Sequence, residues 1–409
     1  EVEVDFEADV VAPASRIFDA PADLGQFAVT YLRHRGEFYL ESIAEAATSA
    51  DRVEWLVGGE WVSNEAARSL PVDQLRRFRI RGLNAVLLHA AGTSARVGQT
   101  FEAEVPVRPY TVMADAGDTC AEADGHLGLS ASIYWYLWDP DRPACAIETQ
   151  MATITVTQTF QNTAARYPEF DRLVEDRQIT AVVLFGQIGD GAVSDSDPGM
   201  ANQRRLANWL LAADFAEVEG APVGRRFRKV VNGVELLYDL YSPRDFSGLS
   251  DHAHFANFQR AISEHEIVAY DGHSMLGASD FWGRPTYPSF YQIYLYGGCL
   301  GYEYYLQPIL GGKGGWDNVD IVSSVVEVSA DANYYAAPVL ARIEAAVETG
   351  RYPSWADLLI AIRQRVGDST FGVSGVEGNC FTPTGSRCST EPPPPPADVL
   401  RFESTPALA

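Results

Sequence analysis

Between Ala261 and Tyr305 the chain reads AISEHEIVAYDGHSMLGASDFWGRPTYPSFYQIYLYGGCLGYEYY. Two short apolar runs stand out, Ile267–Tyr270 and Tyr291–Tyr296, and each is continuous rather than alternating. A strand of a parallel sheet is covered on both faces, so its sequence is apolar throughout. Each run gives way to glycine and then a reactive side chain. The first is followed by Asp271-Gly272-His273-Ser274, the second by Gly297-Gly298-Cys299-Leu300-Gly301. Functional groups of open α/β sheets collect at the carboxyl ends of the strands. His273 and Cys299 are therefore expected at the tips of neighbouring strands, as a base and a nucleophile. Gly272 and Gly298 would let the backbone approach a substrate closely. A helix over Leu300–Leu306 would turn its positive end toward a Cys299 thiolate. Trp282, in the Gly/Pro loop between the two candidates, is expected to face the cleft. Tyr270, Tyr287, Tyr291, Tyr302, Tyr304 and Tyr305 read as groove lining or as core.

The same grammar extends on both sides. Ile179–Phe185 (ITAVVLF) is another continuous apolar run ending at a glycine, Gly186. A loop over Gly189–Gly199, a helix from about Met200 to Ala216, a hairpin or bent strand over Phe227–Tyr241 and a helix over His254–Ser263 follow. After the Cys299 strand come a strand over Val319–Val328 and helices Ala336–Thr349 and Ser354–Val366. Strands alternating with helices imply a mostly parallel sheet flanked by helices. Residues 166–388 thus form an α/β domain, opened by a charged, helix-like segment over Asn162–Arg177. Residues 1–165 read as a β-rich α+β domain. Its strands are Val2–Val11, Gln99–Val107, Leu129–Trp138 and Met151–Phe160, with helices over Leu40–Ala50 and Asn64–Phe78; Gln74–Ile80 reads equally as strand. Residues 389–409, with five consecutive prolines at Pro392–Pro396, read as a stiff extended tail.

A chain of 409 residues is too long for one ordinary core. Its net charge of -24 argues against nucleic acid and anionic membranes as partners. No apolar run approaches the ~20 residues of a membrane-spanning helix. The chain starts at Glu1 and passes straight into strand alternation, the pattern of a mature N-terminus after removal of a targeting segment, or of a trimmed chain. Of five cysteines, Cys120 and Cys145 bracket an apparent hairpin, and Cys380 and Cys388 bracket a short loop. Two local disulfides and one unpaired thiol, Cys299, fit a secreted, periplasmic or cell-surface protein.

A hydrophobic strand ending in Gly-His, then a hydrophobic strand ending in Gly-Cys, resembles the superfamily of cysteine peptidases that holds caspases, legumains, separases, clostripain and gingipains. Tyr270-Asp271-Gly272-His273 and Gly298-Cys299-Leu300 are most similar to the gingipain and clostripain branches. The resemblance covers roughly 179–366, where the order strand, helix, strand, helix, His strand, Cys strand also matches. It implies a caspase-like α/β fold, with Cys299 as nucleophile, His273 as general acid/base, and a protein or peptide as substrate. It also implies an oxyanion held by the backbone N–H groups of Cys299 and of the residue after the histidine. That residue is usually glycine in the family and is Ser274 here. An acidic pocket residue would receive Arg or Lys, and Asp190, Asp195, Asp197, Asp317 and Asp320 are candidates that read equally as surface charges.

Other chemistries have weaker signals. The Asp190–Asp197 loop offers oxygen ligands of the kind calcium takes, without the spacing of an EF-hand; no other cofactor is implied. His252 and His254, completed by His265 or His273, suggest a zinc-dependent hydrolase. A non-catalytic surface or adhesion protein on a degenerate peptidase fold is the remaining alternative.

Overall fold

A computed structural model describes residues 2–35, 38–40, 51–87, 95–112, 119–120, 138–160, 166–189, 191–246, 255–274, 279–299, 301–324, 328, 336–366 and 371–388. The chain is mixed α/β, with one sheet drawn from residues 2–159 and another from 178–374.

The first sheet has seven strands: β1 (Val2–Asp9), β2 (Phe38–Leu40), β3 (Val53–Val57), β4 (Glu60–Ser63), β5 (Arg77–Leu87), β6 (Thr100–Pro106) and β7 (Thr149–Thr159). Their order is β4-β3-β5-β1-β7-β6, with β2 also on β5, and every pairing is antiparallel. One face is buried, so β1 alternates: Val2, Val4, Phe6 and Ala8 point inward. Against that face lies helix Ala20–Arg35, which sequence reading missed. Pro21, Gly25 and Thr30 weaken its propensity. Its stripe Leu24, Phe27, Ala28, Leu32 nonetheless has helical spacing and is fully buried, with Phe27 edge-on to Trp138 at 5.1 Å. The helix expected over Asn64–Phe78 is a single turn, Asn64–Ala67, capped by Ser63. A 3-10 turn at Val72–Gln74, entered through Pro71, leads directly into β5. Residues 41–50 and 121–137 of the other expected elements lie outside the described residues.

The second sheet contains β8 (Gln178–Phe185), β9 (Ala216–Val218), β10 (Arg225–Val231), β11 (Val234–Tyr241), β12 (Ile267–Asp271), β13 (Gln292–Gly297), β14 (Val319–Ser324) and β15 (Phe371–Ser374). The order is β15-β14-β13-β12-β8-β11-β10-β9. From β14 across to β11 the strands are parallel, while β10, β9 and β15 run antiparallel to their neighbours. Helices cover both faces. Pro198–Ala212, Ala336–Thr349 and Trp355–Val366 pack on one, and Phe255–Glu264 and Leu306–Lys313 on the other. Double cover accounts for β12, β13 and β14 being buried at every residue. The helix expected to end at Ala216 stops at Ala212, and Ala216 opens β9. Of Asn162–Arg177 only Phe170–Leu173 is helical among the described residues. Pro168 precedes that turn, and Arg177, at φ 63°, follows it.

Candidate functional site

The chain leaves β8 in one direction to build β11, then returns to the other side of β8 for β12. A crevice at the carboxyl edge follows from such a reversal. The registers Asp271↔Phe185 and Asp271↔Gly297 bring the ends of β8, β12 and β13 level. Gly186 N–H donates to the Asp271 carbonyl at 2.9 Å, tying the first two together. His273 and Cys299 therefore leave the sheet side by side.

Their hydrogen bonds point outward from each other. His273 Nε2 lies 3.0 Å from the carbonyl of Ile188, in the loop after β8. That oxygen only accepts, so Nε2 carries the proton. Half-buried Cys299, the cysteine outside both disulfides, turns to the segment after β14. There Val328 N–H donates to Sγ at 3.3 Å, with the Val328 carbonyl 3.6 Å from it. A donor aimed at sulfur stabilises negative charge on it. The helix expected over Leu300–Leu306 is a single turn, Gly301–Tyr304, broken at Tyr305 before Leu306–Lys313, and so short a turn has little dipole. Sequence offered no signal for Ile188 or Val328, whose contributions are backbone atoms.

The strand-end glycines make room for neighbouring side chains. A Cβ on Gly186 or Gly272 would stand 2.6 or 2.8 Å from the Tyr270 hydroxyl, and one on Gly298 would collide with Ser274 Oγ and the Tyr296 ring. The Cβ positions of Gly272 and Gly298 are thus taken up by the protein's own phenols and serine. Tyr270 OH donates to the His273 carbonyl at 2.8 Å, and Tyr296 OH and Ser274 Oγ are bonded at 3.2 Å.

Trp282 does not face a cleft. It is 2% exposed, edge-on to Phe258 at 4.9 Å and beside Tyr270 and Tyr296. The turn Ser279–Gly283 carries it down onto the sheet, where its large apolar surface is removed from water. Tyr270, Tyr291, Tyr302 and Tyr305 are likewise buried, and Tyr287 is half-buried. The side chain of Tyr304 lies outside the described residues.

No family model matches the sequence, and no curated protein matches it.

The acidic candidates separate by environment. Asp197 is buried and accepts from the backbone N–H groups of Ile188, Gly189 and Gly199, which folds the loop after β8 and caps the following helix. Asp195 is exposed and paired with Arg244 at 2.8 Å. Asp317 is exposed. Asp320 is fully buried, and its Oδ2 accepts from Tyr291 OH, Trp355 Nε1 and Asn379 Nδ2 at 2.6–2.9 Å. Burial outweighs those bonds and pushes its pKa to about 7. Asp317 and Asp320 stand at the entry to β14, at the opposite end of the strands from His273 and Cys299, whereas Asp195 and Asp197 lie in the loop after β8 that also carries Ile188. Asp190 lies outside the described residues. Among the described residues, no group of three or more His, Cys, Asp or Glu gathers as metal ligands would; Asp195 and Asp197 serve the partners just given.

One acid at the edge was missed. Asp271, the last residue of β12, is 3% exposed, and its Oδ1 has no hydrogen-bond partner among the described residues. Burial raises its pKa well above the usual carboxyl range. The sequence signal was a carboxylate closing a continuous apolar run.

His252 and His254 lie outside the described residues. His265 completes no zinc site with His273. Buried before β12, it has Nδ1 3.0 Å from the Ala261 carbonyl and Nε2 3.2 Å from Asp239 Oδ2. Asp239 also receives both arms of Arg226 at 2.7 Å. Cysteines pair as the sequence suggests, Cys120 with Cys145 and Cys380 with Cys388. No helix among the described residues is long and apolar enough to cross a membrane.

Proposed function

We propose that the chain is a secreted cysteine endopeptidase of the caspase/gingipain/legumain-like superfamily, acting through Cys299 and His273. The observation that supports this reading is the register of β12 on β13, Asp271↔Gly297. It sets the Gly-His and Gly-Cys segments at one level of the carboxyl edge, beside the reversal of strand order. In this reading the Cys299 thiolate attacks the scissile carbonyl and forms the C–S bond. The N–H groups of Cys299 and Ser274 receive the oxyanion. His273 then delivers a proton to the departing amine, and water releases the acyl group. With Nε2–H on the Ile188 carbonyl, Nδ1 is the nitrogen that exchanges this proton. The two disulfides suit an oxidising compartment.

A second reading, a non-catalytic scaffold of the same fold, draws on the divergence of the two side chains toward Ile188 and Val328. Alkylation by iodoacetamide across pH separates the two, with mass spectrometry locating the adduct and a peptide library run alongside. A peptidase labels at Cys299 well below the pH ~8.5 of a free thiol, about tenfold more slowly in His273→Ala, and Cys299→Ala abolishes cleavage. A Cys299 that reacts only after unfolding removes the nucleophile and leaves the scaffold.

A further inference from the structure

We infer that the Tyr270 hydroxyl is a positioning group that aims the Ser274 N–H out of the sheet edge, with Tyr296 drawing the Ser274 side chain out of its way. The inference rests on the peptidase reading and adds to it the parts that orient one oxyanion donor.

A phenol on a strand buried on both faces needs a partner for its hydroxyl. Tyr270 and Tyr296 are register partners on β12 and β13, their rings stacked with centroids 5.3 Å apart. Tyr305 stacks on Tyr296 at 4.5 Å. All three are buried, and the hydroxyls of Tyr270 and Tyr296 meet the turn after β12. Tyr270 OH bonds the carbonyl of His273, three residues on, at 2.8 Å. A trans peptide is planar, and its C=O and the following N–H point in opposite directions. Holding the His273 carbonyl down against a buried phenol therefore turns the Ser274 N–H away from the core. No acceptor takes that N–H among the described residues.

Tyr296 acts on the same residue from below. Its hydroxyl bonds Ser274 Oγ at 3.2 Å, which folds the serine side chain inward over Gly298, where no Cβ competes for the space. The chain thus accommodates serine where the resembled family has glycine. Gly186 and Gly272 fit the same construction, since a Cβ on either would displace the Tyr270 hydroxyl.

The test uses the full chain with Tyr270→Phe, Tyr296→Phe, Ser274→Gly and the last two combined. The readouts are peptide turnover, the Cys299 alkylation rate and backbone hydrogen exchange over 272–274. Loss of one oxyanion donor costs ~10²–10³ in kcat, so misdirecting one is expected to cost about tenfold or more. Tyr270→Phe should lower kcat by that factor with KM within about twofold, slow exchange at Ser274 as its N–H is freed to turn from solvent, and leave Cys299 alkylation unchanged, since alkylation needs no oxyanion donor. Tyr296→Phe should cost much less when Ser274 is already Gly. The inference is overturned if Tyr270→Phe leaves kcat and exchange unaltered, or if alkylation falls in step with kcat, which marks general loosening of the edge. Should Tyr270→Phe not fold, an additive Tyr296/Ser274 cycle overturns it and a non-additive one supports it. If the wild type cleaves nothing and His273→Ala leaves alkylation unchanged, the peptidase reading fails by itself. Exchange at Ser274 then still decides whether Tyr270 holds the peptide.

Discussion

At the scale of single residues, the carboxyl groups show how burial selects a role. Glu266, at the entry to β12, and Asp320, opening β14, are both raised by burial to about 7. Each folded-state value lies above the ~4 of an unfolded carboxyl, so the fold binds these protons more tightly than the unfolded chain does. Their contribution is complete below pH ~4 and is lost as the pH rises toward 7. Asp320→Asn removes one such ionisation while keeping an acceptor for Tyr291, Trp355 and Asn379. The urea midpoint followed by tryptophan fluorescence should then fall less steeply between pH 4 and 7 than in the wild type. Equal slopes would show that Asp320 ionises no differently in the folded chain. Asp239 has the opposite sign. Burial raises its pKa, yet the bonds from Arg226 and His265 outweigh that and leave it below the usual range, so its contribution disappears as acid protonates it.

At the scale of elements, that same Asp239 joins β10, β11 and the turn before β12. Arg226 grips it with two parallel bonds and His265 with a third, and the Asp239 side chain is only 1% exposed. Removing one member of a buried charge network leaves the others uncompensated, at a cost of roughly 3–5 kcal/mol. Asp239→Ala should therefore lower the stability of the eight-stranded sheet by about 3 kcal/mol in urea unfolding. Asp239→Ala with Arg226→Met should lose less than the sum of the single changes. Additive losses would mean that the pair contributes independently. The network also explains why His265 takes no part in the edge chemistry: both ring nitrogens are committed inside the helix-covered face.

At the scale of the whole molecule, each sheet carries its own apolar cluster or clusters, and each disulfide closes a local loop. Cys120–Cys145 spans a separation of 25 residues and Cys380–Cys388 one of 8. Loop closure restricts the unfolded chain, worth about 3 kcal/mol for a loop like the longer one. Replacing both Cys120 and Cys145 by Ala should destabilise the first sheet by about that amount, read as earlier protease cleavage within residues 2–159. Glu169 holds the loop of the other disulfide by accepting from Cys380 and Phe381 N–H at 2.6 and 2.8 Å. Reduction there should be milder; an equal loss at both bridges would contradict the loop-length argument.

Ile267–Tyr270, Tyr291–Tyr296 and Ile179–Phe185 were legible as buried parallel strands because cover on both faces leaves few polar residues along the run. Gly-His and Gly-Cys marked where those strands end, and cysteine spacing marked the two bridges, since all of these are local or periodic. What lies between residues distant in the chain was not legible. Trp282 has the composition of a cleft residue, but its place in the Phe258–Tyr296 cluster depends on which helix covers that face. The glycines announced a close approach without saying to what; only packing shows Tyr270 and Ser274 occupying it. Helix Ala20–Arg35 forms despite weak propensity because the first sheet buries its stripe. Periodicity and chain chemistry are written in the order of residues, whereas hydrogen bonds to Ile188 and Val328 come from backbone that every residue has, so the fold alone decides them.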